Sequence, residues 1–231
     1  MWIIGHRGGP VMAPENTIRS VRAAIGCADY IEVDARLSRE GIPVIIHDAR
    51  LDRTTSGTGQ VNDHTFPELR SLDAGDGETI PSLKEVCTLV LGTTTGLFIE
   101  IKEPGSEEAV CNVLAEFPHD HVVIVSFHEE SLSLARGYIP GIKTGIVLPN
   151  AHGHEYRVCE SCHTDFLLPR SDYLTFEVVQ YAHAHGMQVI AWTLNSQQQQ
   201  ERGVLMGIDG FVTDDPCRAF HHWHTGPEGT T

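Results

Sequence analysis

Residues 30–48 read YIEVDARLSREGIPVIIHD, and the architecture follows from how that stretch is parsed. Tyr30–Asp34 is an apolar run broken at alternate positions by an acid. In an extended strand Glu32 and Asp34 therefore share one face, while Ile31 and Val33 share the other. Pro43–His47 is a second extended run. It follows too closely for the helical crossover that a parallel neighbour requires, so it reads as the return arm of a hairpin turning at Arg39–Ile42. A turn centred on Glu40–Gly41 predicts that residues whose numbers sum to 81 face each other, which sets His47 opposite Asp34.

Outward from this hairpin, short apolar runs alternate with helical patterns. Strands are expected at Trp2–Ile4, Tyr30–Asp34, Leu97–Lys102, Val122–Phe127, Thr144–Leu148, Phe166–Pro169, Gln188–Thr193 and Gly210–Thr213. Between them, helices are expected at Thr17–Ala28, Ser82–Leu91, Glu107–Phe117, Glu129–Tyr138, Thr175–His185 and Ser196–Met206. Eight strands separated by helices in 231 residues point to an α/β fold, a (β/α)8 TIM barrel occupying residues 1–220 as one domain. The competing arrangement is an open doubly wound sheet. Residues 48–81, rich in Gly, Thr and Asp, read as a small insertion after the hairpin that carries His47, and 221–231 as a flexible tail.

The formal charge is −15, from 16 Lys+Arg against 31 Asp+Glu, with no basic block. Nucleic acid is thus an unsuitable partner, and an anionic substrate must be met by a local positive cluster. The chain opens directly on a strand, without a basic leader or membrane anchor, so a cytoplasmic location is expected. Six cysteines are too sparse for a disulfide framework and are expected to be thiols.

Glu32, Asp34 and Glu100 offer three hard oxygens at strand ends, where barrels of this type carry their active sites. Such a donor set suits one divalent cation, Mg2+ or Ca2+, with Mn2+ as a third candidate. The plain alternative is a set of rim charges paired with arginines. Three carboxylates and a dication leave a net negative charge that would repel a phosphodiester. Arg7 and Lys102 reverse its sign, and Arg can hold two phosphate oxygens through its planar fork. His6 and His47 stand out among 14 histidines by position, one ending the first strand and the other ending the hairpin arm. Phosphodiester cleavage needs a base for the nucleophile and an acid for the leaving alkoxide, and imidazole serves as either. Phe127 and Trp192 sit at strand ends, where they read equally well as an apolar wall of a substrate pocket or as barrel packing.

These residues occur within His6-Arg7-Gly8, Pro14-Glu15-Asn16-Thr17, Ile31–Asp34, Gly41–Val44, His47-Asp48, Leu51–Thr55, Gly57–Gly59, Ile80–Leu83, Phe98–Lys102, Ser126-Phe127, Trp192–Asn195 and Gly210–Asp214. In that combination the chain resembles the glycerophosphodiester phosphodiesterase family along most of its length. The resemblance implies a barrel with an insertion after the His-Asp pair, a cation on the three carboxylates, and His6 and His47 as acid and base. It further implies that a small-molecule glycerophosphodiester is hydrolysed to glycerol 3-phosphate and an alcohol. Lysophospholipase D activity, another phosphodiesterase activity on the same scaffold toward sugar-linked or inositol-linked esters, and a barrel that binds phosphate esters without turnover are the rival functions. The pattern departs from the family at Asn150–Thr164, where His152, His154, Cys159, Cys162 and His163 occur. Cys159-x-x-Cys162-His163 has the form of a haem attachment site, and the His and Cys residues together could hold zinc. Chance cysteines are the favoured reading.

Overall fold

The computed structural model describes residues 1–149, 157 and 163–225. Eight parallel strands form the sheet: β1 (Trp2–Gly5), β2 (Tyr30–Leu37), β4 (Gly96–Ile101), β5 (Val122–Ser126), β6 (Lys143–Leu148), β7 (Phe166–Pro169), β8 (Gln188–Ala191) and β9 (Gly210–Thr213). Each pairs with the next, and β1 pairs with both β9 and β2, which closes the ring and excludes the open sheet. The short strand β3 (Pro43–Ile45) lies antiparallel to β2, outside the ring. Helices α1 (Ile18–Ala24), α3 (Leu83–Val90), α4 (Glu107–Leu114), α5 (Glu129–Tyr138), α6 (Phe176–Ala184), α7 (Gln197–Leu205) and α8 (Pro216–Thr225) accompany the barrel, and α2 (Phe66–Arg70) belongs to the insertion.

Local chemistry explains where several helices begin. Thr17, Ser82 and Ser196 each cap a helix reciprocally with the residue three positions on, Ser20, Glu85 and Gln199. Strand alternation then divides the apolar residues between two cores. Outward-facing Ile3, Ile31, Val33 and Ile99 pack against the helices, while inward-facing Ile4, Phe98, Val125, Leu168 and Val212 fill the barrel. Trp2, Tyr30, Phe98 and Phe166 plug the strands' N-terminal end, with ring centroids 5.1–5.6 Å apart. The insertion has a smaller core of its own, in which Leu51, Val61, Leu69 and Ile80 join Val44 and Ile46 of the hairpin arm.

The hairpin register differs from expectation by one. Ala35 pairs with Ile45, Arg36 with Val44 and Leu37 with Pro43, so the numbers sum to 80 and Asp34 bonds across to the Ile46 amide. The cause is the turn. Ser38 and Ile42 close a three-residue loop whose Gly41 takes φ +82, centring it on Glu40 rather than between Glu40 and Gly41. His47 therefore lies beyond the ladder, where its carbonyl accepts Arg36 Nε at 2.8 Å.

Helix α8 continues to Thr225, with Trp223 packing on the outer core and donating to Gln200 at 3.0 Å; residues 226–231 of the expected tail lie outside the described residues. One other expectation is corrected. Cys27 and Cys217 form a disulfide rather than standing as thiols, since the closed barrel brings together ends 190 residues apart. Cys87 and Cys111 are free and buried. The segment holding His152, His154, Cys159 and Cys162 lies outside the described residues.

Candidate active site

The barrel interior changes chemistry at the C-terminal ends of its strands, one alternation step at a time. Along β1 the inward series runs Trp2, Ile4, His6; along β2, Tyr30, Glu32, Asp34; along β4, Phe98, Glu100, Lys102. On β5 Val125 gives way to Phe127, on β8 Ile190 to Trp192, and on β9 Val212 to Asp214. Apolar packing thus supports a layer of reactive groups at the mouth.

Strand register determines who meets whom. Asp34 pairs with Glu100 across β2 and β4, and Glu32 is one inward step below Asp34. One oxygen from each of Glu32, Asp34 and Glu100 lies within 4.8 Å of the others, and all three residues are buried. Lys102 Nζ sits 2.6 Å from Glu100 and 3.2 Å from Asp34. Arg7 brings its backbone amide to Glu32 at 2.9 Å, its Nε to 3.3 Å from Asp34, and its Nη1 to Glu15 at 2.8 Å. The backbone here is specialised: Arg7 has φ +50, and a Cβ on Gly8 (φ +88) would meet Ser20 Oγ at 2.4 Å, so glycine is required.

Both histidines have the same support. His6 Nδ1 lies 2.6 Å from Asp214, an extension of the β1–β9 register, and His47 Nδ1 lies 2.6 Å from Asp48. Asn195 steadies Asp214 at 2.6 Å, and Arg53 steadies Asp48 at 2.6 Å. In each imidazole Nδ1 is engaged, which leaves Nε2 for proton transfer.

His6, Arg7, Glu32, His47, Glu100, Lys102, Phe127 and Trp192 line one cleft of about 600 Å3, completed by Val125, Val147, Leu168 and Val212. Asp34 is within 3.2 Å of Lys102 Nζ and clusters with Glu32 and Glu100, so all nine residues singled out in the sequence converge. Phe127 and Trp192 meet edge to face at 6.1 Å, and the indole is anchored by its bond to the Leu168 carbonyl at 2.8 Å. A second cleft of about 590 Å3 lies around the start of β4, but its titratable lining consists of Cys87, Asp120 and His121, without a cluster of acids.

The electrostatics of the three carboxylates suit a bound cation. Burial, followed by repulsion from Asp34 and Glu100, raises the Glu32 carboxyl well above the usual carboxylate range. Burial and Asp34 also raise Glu100. For Asp34 burial is outweighed by Lys102, Arg7 and His47, which leave it low. Moreover, Glu32 Oε1 is buried with no hydrogen-bond partner among the described residues. Three converging carboxylates, with Glu32 Oε1 unpartnered and Glu100 Oε1 met by the Lys102 ammonium, fit a hard divalent cation. Burial lowers His47 below the ordinary imidazole range despite its proximity to Asp34.

Several residues here were not singled out for roles in the sequence: Asp48, Asp214, Arg53, Glu15 and Asn16. Asn16 holds Asp34 from two sides, donating to Oδ2 at 2.7 Å and accepting its amide at 3.2 Å. Asp48 was legible as the neighbour of His47. Asp214 becomes legible only once β1 and β9 are known to be adjacent.

Known proteins resemble the chain along most of its length. Residues 6–218 match the model of the glycerophosphoryl diester phosphodiesterase family. A glycerophosphodiester phosphodiesterase from Caldanaerobacter subterraneus subsp. tengcongensis is 34% identical over 228 residues, covering 93% of this chain and 94% of the relative. A phosphodiesterase from Oleispira antarctica, solved with the product sn-glycerol-3-phosphate, superposes with a TM-score of 0.87 at 31% identity, covering 95% of this chain and 96% of that one. The glycerophosphodiester phosphodiesterase from Thermotoga maritima has a TM-score of 0.81 at 28% identity, covering 95% and 96%. The chain therefore belongs to the glycerophosphoryl diester phosphodiesterase family.

Proposed function

We propose that this protein hydrolyses glycerophosphodiesters to sn-glycerol 3-phosphate and an alcohol, using a divalent cation and two histidines. The observation that carries the reading is the convergence, in one cleft, of three buried carboxylates with two imidazoles each backed by its own carboxylate. The product bound to the Oleispira antarctica relative supports the substrate class.

A cation held by Glu32, Asp34 and Glu100, with Mg2+, Ca2+ and Mn2+ all suited to these oxygens, supplies a Lewis acid toward the phosphoryl group. Lys102, fixed between Asp34 and Glu100, contributes positive charge to the same place. Arg7 engages Glu15 through Nη1 and approaches Asp34 through Nε, which leaves Nη2 for a phosphate oxygen. His47, its pKa lowered by burial, takes the proton of the nucleophile. That nucleophile is water, or the neighbouring glycerol hydroxyl followed by opening of a cyclic phosphate. His6, held on Asp214, gives a proton to the leaving alkoxide. Phe127 and Trp192 wall the cleft beside the glycerol or the alcohol.

The test is a panel of glycerophosphocholine, glycerophosphoethanolamine and lysolipids, each with and without chelator. Turnover of the water-soluble diesters that stops with EDTA and returns with a divalent cation is expected. Preference for lysolipids would favour lysophospholipase D, and tight product binding without turnover would favour a binding protein.

The cytoplasmic location expected from the sequence stands as a further proposal. Among the described residues no helix is long and apolar enough to cross a membrane. Reducing cytosol disfavours disulfides, whereas Cys27 and Cys217 are paired in the structure, so thiol titration of denatured protein under anaerobic conditions tests this proposal, which requires both to be free. Recovery of the intact disulfide from freshly lysed cells would place the protein in an oxidising compartment.

A further inference from the structure

We propose that Arg53, on the insertion, is a positioning residue that locks together the carboxylate orienting His47 and the carboxylate holding Arg7. The proposal rests on the roles given above to those two residues. Arg53 does not line the cleft, and its side chain is 47% exposed. Yet it makes two-point contact with two different acids. Nε and Nη2 donate to Asp48 Oδ2 and Oδ1 at 2.6 and 3.1 Å, while Nη1 and Nη2 donate to Glu15 Oε2 and Oε1 at 2.9 and 2.8 Å.

Each acid passes the constraint onward. Asp48 Oδ1 meets His47 Nδ1 at 2.6 Å, and Glu15 Oε1 accepts from Arg7 Nη1 at 2.8 Å. Three stretches of chain are joined in this way: the first strand-to-helix loop, the end of the hairpin arm and the insertion. Without Arg53, Asp48 and Glu15 would be neighbouring anions with no cation between them, and His47 would depend on an untethered aspartate. A lysine could supply the charge but not the planar fork that reaches four oxygens. The arrangement also gives the insertion a reason to be present, since it delivers this guanidinium to the rim of the site.

The experiment measures kcat and KM for a glycerophosphodiester, Mn2+ affinity and the melting midpoint in wild type, Arg53→Met, Arg53→Lys, Arg53→Ala, Asp48→Asn, Arg53→Met/Asp48→Asn and His47→Ala. Arg53→Met is expected to lower kcat about tenfold to a hundredfold, the range for losing a group that orients a reacting side chain, with Mn2+ affinity within about twofold. Arg53→Lys should recover only part of the loss. Adding Arg53→Met to Asp48→Asn should cost little more than Asp48→Asn alone, because the two act in series. Guanidinium ion, at a concentration that leaves the melting midpoint unchanged, should restore part of kcat to Arg53→Ala and none to His47→Ala. Arg53→Met turning over like wild type while His47→Ala is inert overturns the proposal. So does a loss of kcat that guanidinium leaves untouched and that simply follows the melting midpoint. A wild type inert toward every diester, or a fully active His47→Ala, instead overturns the functional reading, and the proposal with it.

Discussion

Glu32→Gln should reduce hydrolysis by about a thousandfold or more while making the chelated protein more stable at alkaline pH. The two halves of that result have one cause. Glu32 is a fully buried acid beside two others, and its Oε1 has no hydrogen-bond partner among the described residues. Its carboxyl is raised well above the normal range by burial and by Asp34 and Glu100. Without a cation, the folded state therefore holds this proton to higher pH than the unfolded chain does. The resulting stability is present below the unfolded value of roughly 4.3 and is lost as pH climbs toward the raised folded value. Glutamine cannot ionise, so the variant should lose that part of the slope and melt higher than wild type when both are assayed with EDTA at pH 8. With a divalent cation the order should reverse, because binding stabilises only the chain that keeps its ligand. Differential scanning fluorimetry from pH 5 to 8, with and without Mn2+, reads both signs. A Glu32→Gln that melts below wild type in EDTA at alkaline pH would contradict the electrostatic account.

The second large effect is expected from the imidazoles. His47→Ala and His6→Ala should each lower kcat by about a hundredfold to ten-thousandfold, with the melting midpoint and cation affinity little changed. Both side chains are partly exposed at the cleft rather than part of the core, at 32% and 22% of the side chain, so their loss removes chemistry more than packing. The profiles of the two variants should differ. Wild type should give a bell-shaped dependence of kcat/KM on pH. With His47 as the base, His47→Ala should flatten the acidic limb, where that group must be unprotonated. Asp214→Asn should resemble a weakened His6→Ala, because its carboxylate engages His6 Nδ1 at 2.6 Å. Loss of the same limb in both histidine variants would remove the assignment of acid and base.

How much of this was readable beforehand depended on whether the signal was local. The alternation of Glu32 with Asp34 and of Glu100 with Lys102 survives folding because a strand's period of two is a property of the backbone. Those four side chains could be placed on one face without knowing the barrel. The hairpin was legible for a similar reason, since the gap after Asp34 is too short for anything else. Its register was not, because one glycine at φ +82 moves the centre of the turn by half a residue, and composition does not distinguish the two turns. Long-range pairings were least visible. His6 with Asp214, Cys27 with Cys217 and Arg53 with Glu15 are created by barrel closure and by the insertion's return to the rim. Trp223 belongs to the same group: its His-rich surroundings read as frayed, and only packing on the outer core and the bond to Gln200 hold the helix to its end.

The most direct test of the central claim is Mn2+ binding followed by electron paramagnetic resonance, with hydrolysis measured on the same samples. The account requires one tight site per chain in wild type, loss of that site in Glu32→Gln and Glu100→Gln, and loss of turnover in parallel. Undiminished hydrolysis in excess EDTA, or a single Mn2+ site that survives both substitutions, would contradict it.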